Sequence, residues 1–388
     1  MDPLIGVLFH WLGGLASGSF YVPYRMVRNW SWETYWLVGG FFAWLAAPWV
    51  FALLLTHDPC AAIKAAELKV IFQTYLCGVC WGLGGLTFGL TMRYLGMSLG
   101  MAIALGYCTA FGTLIPPIVK GTFERDVFTP AHGKLILLGI LVCLVGIIIT
   151  GKAGLEKEKG MSEDMKRATV KEFDFKKGLL IATFSGIMSA FFAFGFAAGD
   201  PIYRLTLAQG NLAAWSGLPV LIVILAGGFT TNFVWCLLLN LRNRTGYEYL
   251  AVEQRAPFHR QDQSAIENPT DTPAEEMAGQ ASAPGSPADC RIPRGSNYLF
   301  SGMAGVIWYL QFFFYQIGES KMGDYKFSSW TLHMASIIIF SSLWGIGLGE
   351  WRGSNARAHR LLFLGLAMLI ASTIVVGLGN YLGSKTAH

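Results

Sequence analysis

Trp308, Gln311 and Tyr315 recur at i, i+3 and i+7, so on a helix they share one face. An indole and a phenol offer flat apolar faces on which a sugar ring stacks, and the amide between them can bind a hydroxyl. The same amide equally serves an interhelical hydrogen bond, so a binding stripe and a packing stripe both fit. Trp330 and His333 lie one turn apart further along the chain. They add another stacking face and an imidazole, the side chain whose charge changes near neutral pH.

A second set of groups could move a proton. Ser31 at an N-cap would put Glu33 in the first turn of its helix, where the helix dipole favours a carboxylate. A carboxyl partly withdrawn from water can also trade a proton, which gives Glu33 a functional reading beside the structural one. His333 ranks ahead of Glu33 for that role because it shares a helix with Trp330 and can sense what Trp330 holds. His10, on one face with Gly14, Ser17 and Tyr21, is the remaining titratable group; that face, like Ser185 and Ser189, suits close helix packing at least as well. Cys77 and Cys80 have redox or metal spacing, but they sit in an apolar stretch with no second pair, and packing explains them.

The elements that must position these groups follow from composition. Of 388 residues, 53% are hydrophobic and 14% charged, against roughly a quarter charged in a soluble domain. That excludes an ordinary soluble enzyme and a disordered chain. Spanning a bilayer takes about 20 apolar residues in a helix, because every backbone group must be paired within the segment. Ten stretches are expected to do so: 4–24, 32–56, 70–92, 98–119, 135–151, 178–199, 213–241, 297–318, 327–349 and 361–383. Of the 29 Lys and Arg and 24 Asp and Glu, only Glu33 falls inside these limits. The fold class is therefore an all-α, polytopic membrane protein.

Loops after odd-numbered spans carry 20 of the 29 basic residues. They are expected in the cytoplasm, with both termini periplasmic. The first apolar stretch lacks a basic start and reads as a permanent span rather than a cleaved signal. The loop 152–177 is basic. Residues 242–295 are rich in Pro, Ala, Ser, Gln and acidic groups and read as a flexible cytoplasmic linker.

The two halves resemble each other. The run from Gly133 to Gly139 matches His359 to Gly365, and the alignment continues without a gap to Gly151 and Gly377. Gly14-x-x-Ser17-x-x-Phe20 matches Gly186-x-x-Ser189-x-x-Phe192, and Trp81 matches Trp308. Residues 1–151 and 178–388 thus read as two five-helix repeats. An odd number of spans inverts the second copy, the pattern of secondary transporters that alternate access around a central site.

Four motifs carry a resemblance that runs from the first span to the last: Trp30-Ser-Trp-Glu-Thr34, Leu90-Thr-Met-Arg-Tyr-Leu-Gly-Met97, Trp308-Tyr-Leu-Gln-Phe-Phe-Phe-Tyr315 and Ser329-Trp-Thr-Leu-His-Met334. They are similar to those of the L-rhamnose–proton symporter family of the drug/metabolite transporter superfamily. The resemblance implies a ten-helix bacterial inner-membrane protein that imports L-rhamnose or L-lyxose with a proton. Glu33, Arg93, Trp308, Gln311, Tyr315, Trp330 and His333 fall within the matched motifs. The order His10-Trp11 is reversed relative to the family, and the stretch 257–293 is longer, so no family role carries over to either.

The expected partners are a small sugar, a proton and the lipid bilayer, with no nucleic acid. No cofactor or metal is expected, and no nucleotide loop, metalloprotease motif or nucleophile elbow suggests an enzyme. An exporter or exchanger of another metabolite on the same fold, and a membrane sensor signalling through the linker, are the competing readings.

Overall fold

A computed structural model describes residues 3–95, 97–119, 121–159, 174–251, 291–349 and 351–386. Ten long helices dominate them: α1 (Pro3–Ser19, continued by Tyr21–Tyr24), α2 (Trp32–Leu55), α3 (Leu68–Leu95), α4 (Met97–Val119), α5 (Ala131–Lys159), α6 (Phe175–Ala198), α7 (Leu218–Asn243), α8 (Arg294–Lys321), α9 (Ser329–Gly347) and α10 (Ala356–Thr386). No β-strand occurs among the described residues.

Local chemistry sets the helix limits. Asp174 accepts from the Lys177 amide and caps α6. Pro219 begins α7, where its missing N–H costs nothing. Arg244, in the left-handed conformation, ends it. Within α2 the turn Phe42–Ala46 is a π-helix just before Pro48. A proline there has no N–H to give the preceding turn, so the ladder is re-registered.

Nine of these helices, among the described residues, are long and apolar enough to cross a membrane. The expected count was ten, and α8 is the exception. It is 28 residues long, but Gln311, Gln316 and its Trp and Tyr residues dilute its apolar content. It is nonetheless enclosed, with Gln311, Tyr315 and Gln316 buried. Large apolar side chains that water would reject cover the outside: Leu54 is 76% exposed and Leu180 72%. Facing hydrocarbon, they carry no solvation cost.

The connections fall on two faces. Trp30 donates to the Glu248 carbonyl, the Asp174 amide to Tyr94 O, and Asn355 to Glu156 O. These bonds join the connection after α1 to that after α7, and the connection after α5 to those after α3 and α9; the alternation of the long helices puts all five on one face. On the other, the His57 amide donates to Asn211 and the Asn380 amide to Ser328. The pairing of helices is regular: α1 packs on α8 and α9, α6 on α3 and α4, α5 on α10, α3 on α7 and α2 on α8.

Both ends of the stretch read as a linker are folded. Its residues 242–243 extend α7, and Gly246–Tyr249 forms a 3-10 turn against the start of α2. Residues 252–290 of that linker and 160–173 of the loop 152–177 lie outside the described residues, as does the side chain of Arg93.

Candidate functional site

A cavity of about 340 Å³ opens on the face that carries the connections after α2, α4, α6 and α8. Its volume suits a small solute. Trp330 and Tyr315 form its inner wall, with ring centroids 5.7 Å apart at 81°. Trp330 donates from Nε1 to the Cys108 carbonyl at 3.0 Å, which fixes the indole plane. The indole lies so close to Gly112 of α4 that a Cβ there would come within 2.4 Å of it. Only glycine lets α4 approach this far.

Polar groups ring the wall and mouth. Gln316, buried beside Tyr315, donates from Nε2 to Ala214 O at 2.6 Å. Its Oε1 has no hydrogen-bond partner. Asp200 pairs with Arg204 at 2.7 Å, and the Lys326 ammonium lies 4.8 Å from the Tyr203 ring centre. With Glu319 the lining carries two acidic and two basic side chains, so its charge balances.

Two imidazoles flank Tyr315 on the side away from the cavity. The His333 and His10 rings each lie 5.3 Å from the Tyr315 ring. Both histidines are fully buried, and none of their four ring nitrogens has a hydrogen-bond partner. Buried polar atoms are almost always paired, so a cluster of such exceptions is a functional pointer. Glu319, one turn beyond Tyr315, lines the same cavity.

The structure thus brings Tyr315, Trp330 and His333 together. It does not bring Trp308 to the cavity. Trp308 meets Trp81 at 5.6 Å, Trp44 at 5.3 Å and Phe20 at 6.4 Å, within an aromatic plug. Phe192 and Phe312, stacked at 4.0 Å, join that plug to Trp330. Gln311 is buried one turn before Tyr315 and is not part of the cavity wall.

Glu33 is also remote. It is buried on the opposite face, where Oε1 accepts from Asn243 at 3.0 Å and Thr245 at 2.7 Å. Ser31 does occupy the N-cap of α2, but its hydroxyl makes no cap bond; it donates to Glu248 Oε2 at 2.7 Å. Glu33 and Glu248 tie the end of α7 to the start of α2.

Sequence reasoning missed Gln316. The criterion that singled out Gln311, an amide in an aromatic run, applies to it equally. What separates the two is which face of α8 meets the cavity, and that depends on its packing against α1 and α2. The ring of Asp200, Arg204, Glu319 and Lys326 was read as loop charge because only the fold folds those loops over one mouth.

Known proteins match the chain over nearly its whole length. A family profile described as L-rhamnose-proton symport protein matches residues 2–249 and 288–381. A protein of Yersinia pestis (strain Pestoides F) named L-rhamnose-proton symporter is 34% identical over 379 residues, 97% of this chain and 98% of its own length. One of the same name from Pectobacterium carotovorum subsp. carotovorum (strain PC1) is 34% identical over 378 residues, with the same coverage.

Proposed function

We propose that this chain, which belongs to the L-rhamnose-proton symport protein family, imports L-rhamnose or a close sugar such as L-lyxose with a proton, by alternating access across a bacterial inner membrane. The observation that carries this reading is the cavity walled by Trp330 and Tyr315 and rimmed by balanced charge. Aromatic faces suit a deoxy sugar, whose methyl group and ring hydrogens are apolar. A neutral rim gives no preference for a phosphorylated or carboxylated solute.

The reading carries ten spanning helices in two inverted five-helix repeats. The helix pairings support it. Exchanging each helix of the first five for its counterpart turns α1 on α8 into α6 on α3, α1 on α9 into α6 on α4, and α2 on α8 into α7 on α3. The matched pair Trp81 and Trp308 meets at the crossing of the two halves. The excess of basic residues in the odd-numbered connections favours both termini in the periplasm; in that orientation the cavity opens outward and the aromatic plug closes the cytoplasmic half.

For the proton we favour His333, with Glu33 second. His333 touches Tyr315, and Tyr315 lines the sugar cavity, so charge on the imidazole and occupancy of the cavity can bias each other. Glu33 is held by Asn243 and Thr245 on the far face, an arrangement that favours its structural reading.

The test is uptake of labelled L-rhamnose into membrane vesicles with an imposed pH gradient, acid outside. Accumulation above the external concentration, abolished by a protonophore, supports symport. Uptake that ignores the gradient and requires a solute inside the vesicle would make the protein an exchanger.

A further inference from the structure

Gln316 combines two conditions that packing alone rarely produces in one amide. Its Nε2 is committed to Ala214 O at 2.6 Å, and a carbonyl acceptor leaves no doubt which end of the amide faces it. The bond fixes the side chain, so Oε1 stands as an oriented acceptor. Gln316 is 2% exposed, Oε1 is unpartnered, and the residue lines the cavity next to Tyr315. The second condition is Gly217, which lines the same wall at the start of α7. A Cβ at Gly217 would lie 2.6 Å from Gln316 Oε1, closer than any methyl can sit to an oxygen. The glycine therefore puts no side chain against the acceptor, which is buried in the wall.

An oriented acceptor at the edge of an aromatic wall accepts one kind of group, a donor. A hydroxyl fits; a methyl, an ether oxygen or a carboxylate leaves Oε1 buried and unsatisfied. We propose that Gln316 is a specificity-determining residue, its buried and unpartnered Oε1 accepting a hydrogen bond from one hydroxyl of the sugar, with Gly217 placing no side chain in the way. The assignment rests on the sugar-import reading above. It makes the substrate class narrower: a neutral sugar with a free hydroxyl at the ring position that meets α8 and α7, beyond the stacking supplied by Trp330 and Tyr315.

The experiment measures binding of L-rhamnose and its single-deoxy analogues to the purified full chain in detergent. Native protein, Gln316→Leu and Gly217→Ala are compared. In the native protein one deoxy analogue should bind on the order of tenfold more weakly than its parent because it leaves Oε1 unpaired. Gln316→Leu should bind parent and that analogue alike, while preferences at the other ring positions persist. Gly217→Ala retains the amide but crowds its Oε1, and should reduce the same single preference. A merely structural amide would change all affinities together. If the native protein discriminates and both variants keep its full preference, Gln316 does not read a hydroxyl, and the import reading stands without it. If the native protein binds none of these sugars, the import reading fails and this inference with it.

Discussion

Trp81 of α3 and Trp308 of α8, one from each half of the chain, meet with ring centroids 5.6 Å apart. Trp308 also packs edge-on to Trp44 at 5.3 Å, in the half of α2 that carries the π-turn. In the alternating-access reading proposed above, opening the opposite face would require these rings to part, and the re-registered turn of α2 is the place in the backbone suited to that movement.

Trp81→Ala and Trp308→Ala should therefore loosen the plug. Each removes a large ring from a packed cluster, at a cost of about 3 kcal/mol in stability. Thermal unfolding in detergent measures that loss. In sugar-loaded vesicles without a pH gradient, efflux should be faster than for the native protein. If Trp308→Ala weakens sugar binding far more than Trp81→Ala does, the Trp308 ring belongs to the sugar site after all.

Trp330 should act differently. Trp330→Ala removes the stacking wall and should weaken sugar binding by about 1 kcal/mol or more, a factor of roughly five or greater. Trp330→Phe keeps a ring but loses the bond to Cys108 O, and should fall between the two. Titration calorimetry checks the order. Equal affinities for all three proteins would mean that the wall does not touch the sugar.

The proton assignment separates His333 from Glu33. His333→Gln should bind L-rhamnose with an affinity that no longer varies with pH, and should fail to accumulate it against a gradient. Glu33→Gln should keep pH-driven accumulation and lose only stability, about 1 kcal/mol for the weakened bonds to Asn243 and Thr245. If instead Glu33→Gln abolishes coupling and His333→Gln preserves it, the order of the two is reversed. His10→Gln is the informative third variant, because His10 faces the same tyrosine.

Glu248 supplies a pH dependence of stability. Burial pushes its carboxyl above the usual carboxylate range, with Glu33 adding to the rise, while hydrogen bonds from the Ser31 amide and hydroxyl oppose it. A carboxyl raised in the fold holds its proton longer there than in the unfolded chain. Stability should therefore fall as pH rises from the ordinary carboxylate range through the raised value. Glu248→Gln removes the titrating group and should flatten that slope in melting curves taken across the window. An unchanged slope would assign it to another group.

The sidedness rests on the basic loops. A reporter active only in the cytoplasm, fused after the last residue, should be silent. A bright signal would reverse both faces, and the cavity would then open inward.

The sequence alone determined the solvent of this protein. A chain with 53% hydrophobic residues and its charges confined to connections has one stable home, because hydrocarbon demands internally paired helices. Periodicity also put Tyr315, Trp330 and His333 on inward faces, since i+3 and i+4 spacing is fixed by helix geometry whatever the neighbours are. It failed where two faces of one helix look alike. Gln311 and Gln316 are both amides among aromatics, and only the packing of α8 against α1 and α2 puts Gln316 at the cavity. Trp308 shares a stripe with Tyr315, yet two turns of rise carry it from the cavity into the plug. Glu33, the lone charge within a span, invited a proton role; Asn243 and Thr245, some 210 residues away, meet it only in the folded chain. Local sequence sets which way a side chain points from its own helix. What it points at is decided by contacts between segments far apart in the chain, and those belong to the tertiary structure.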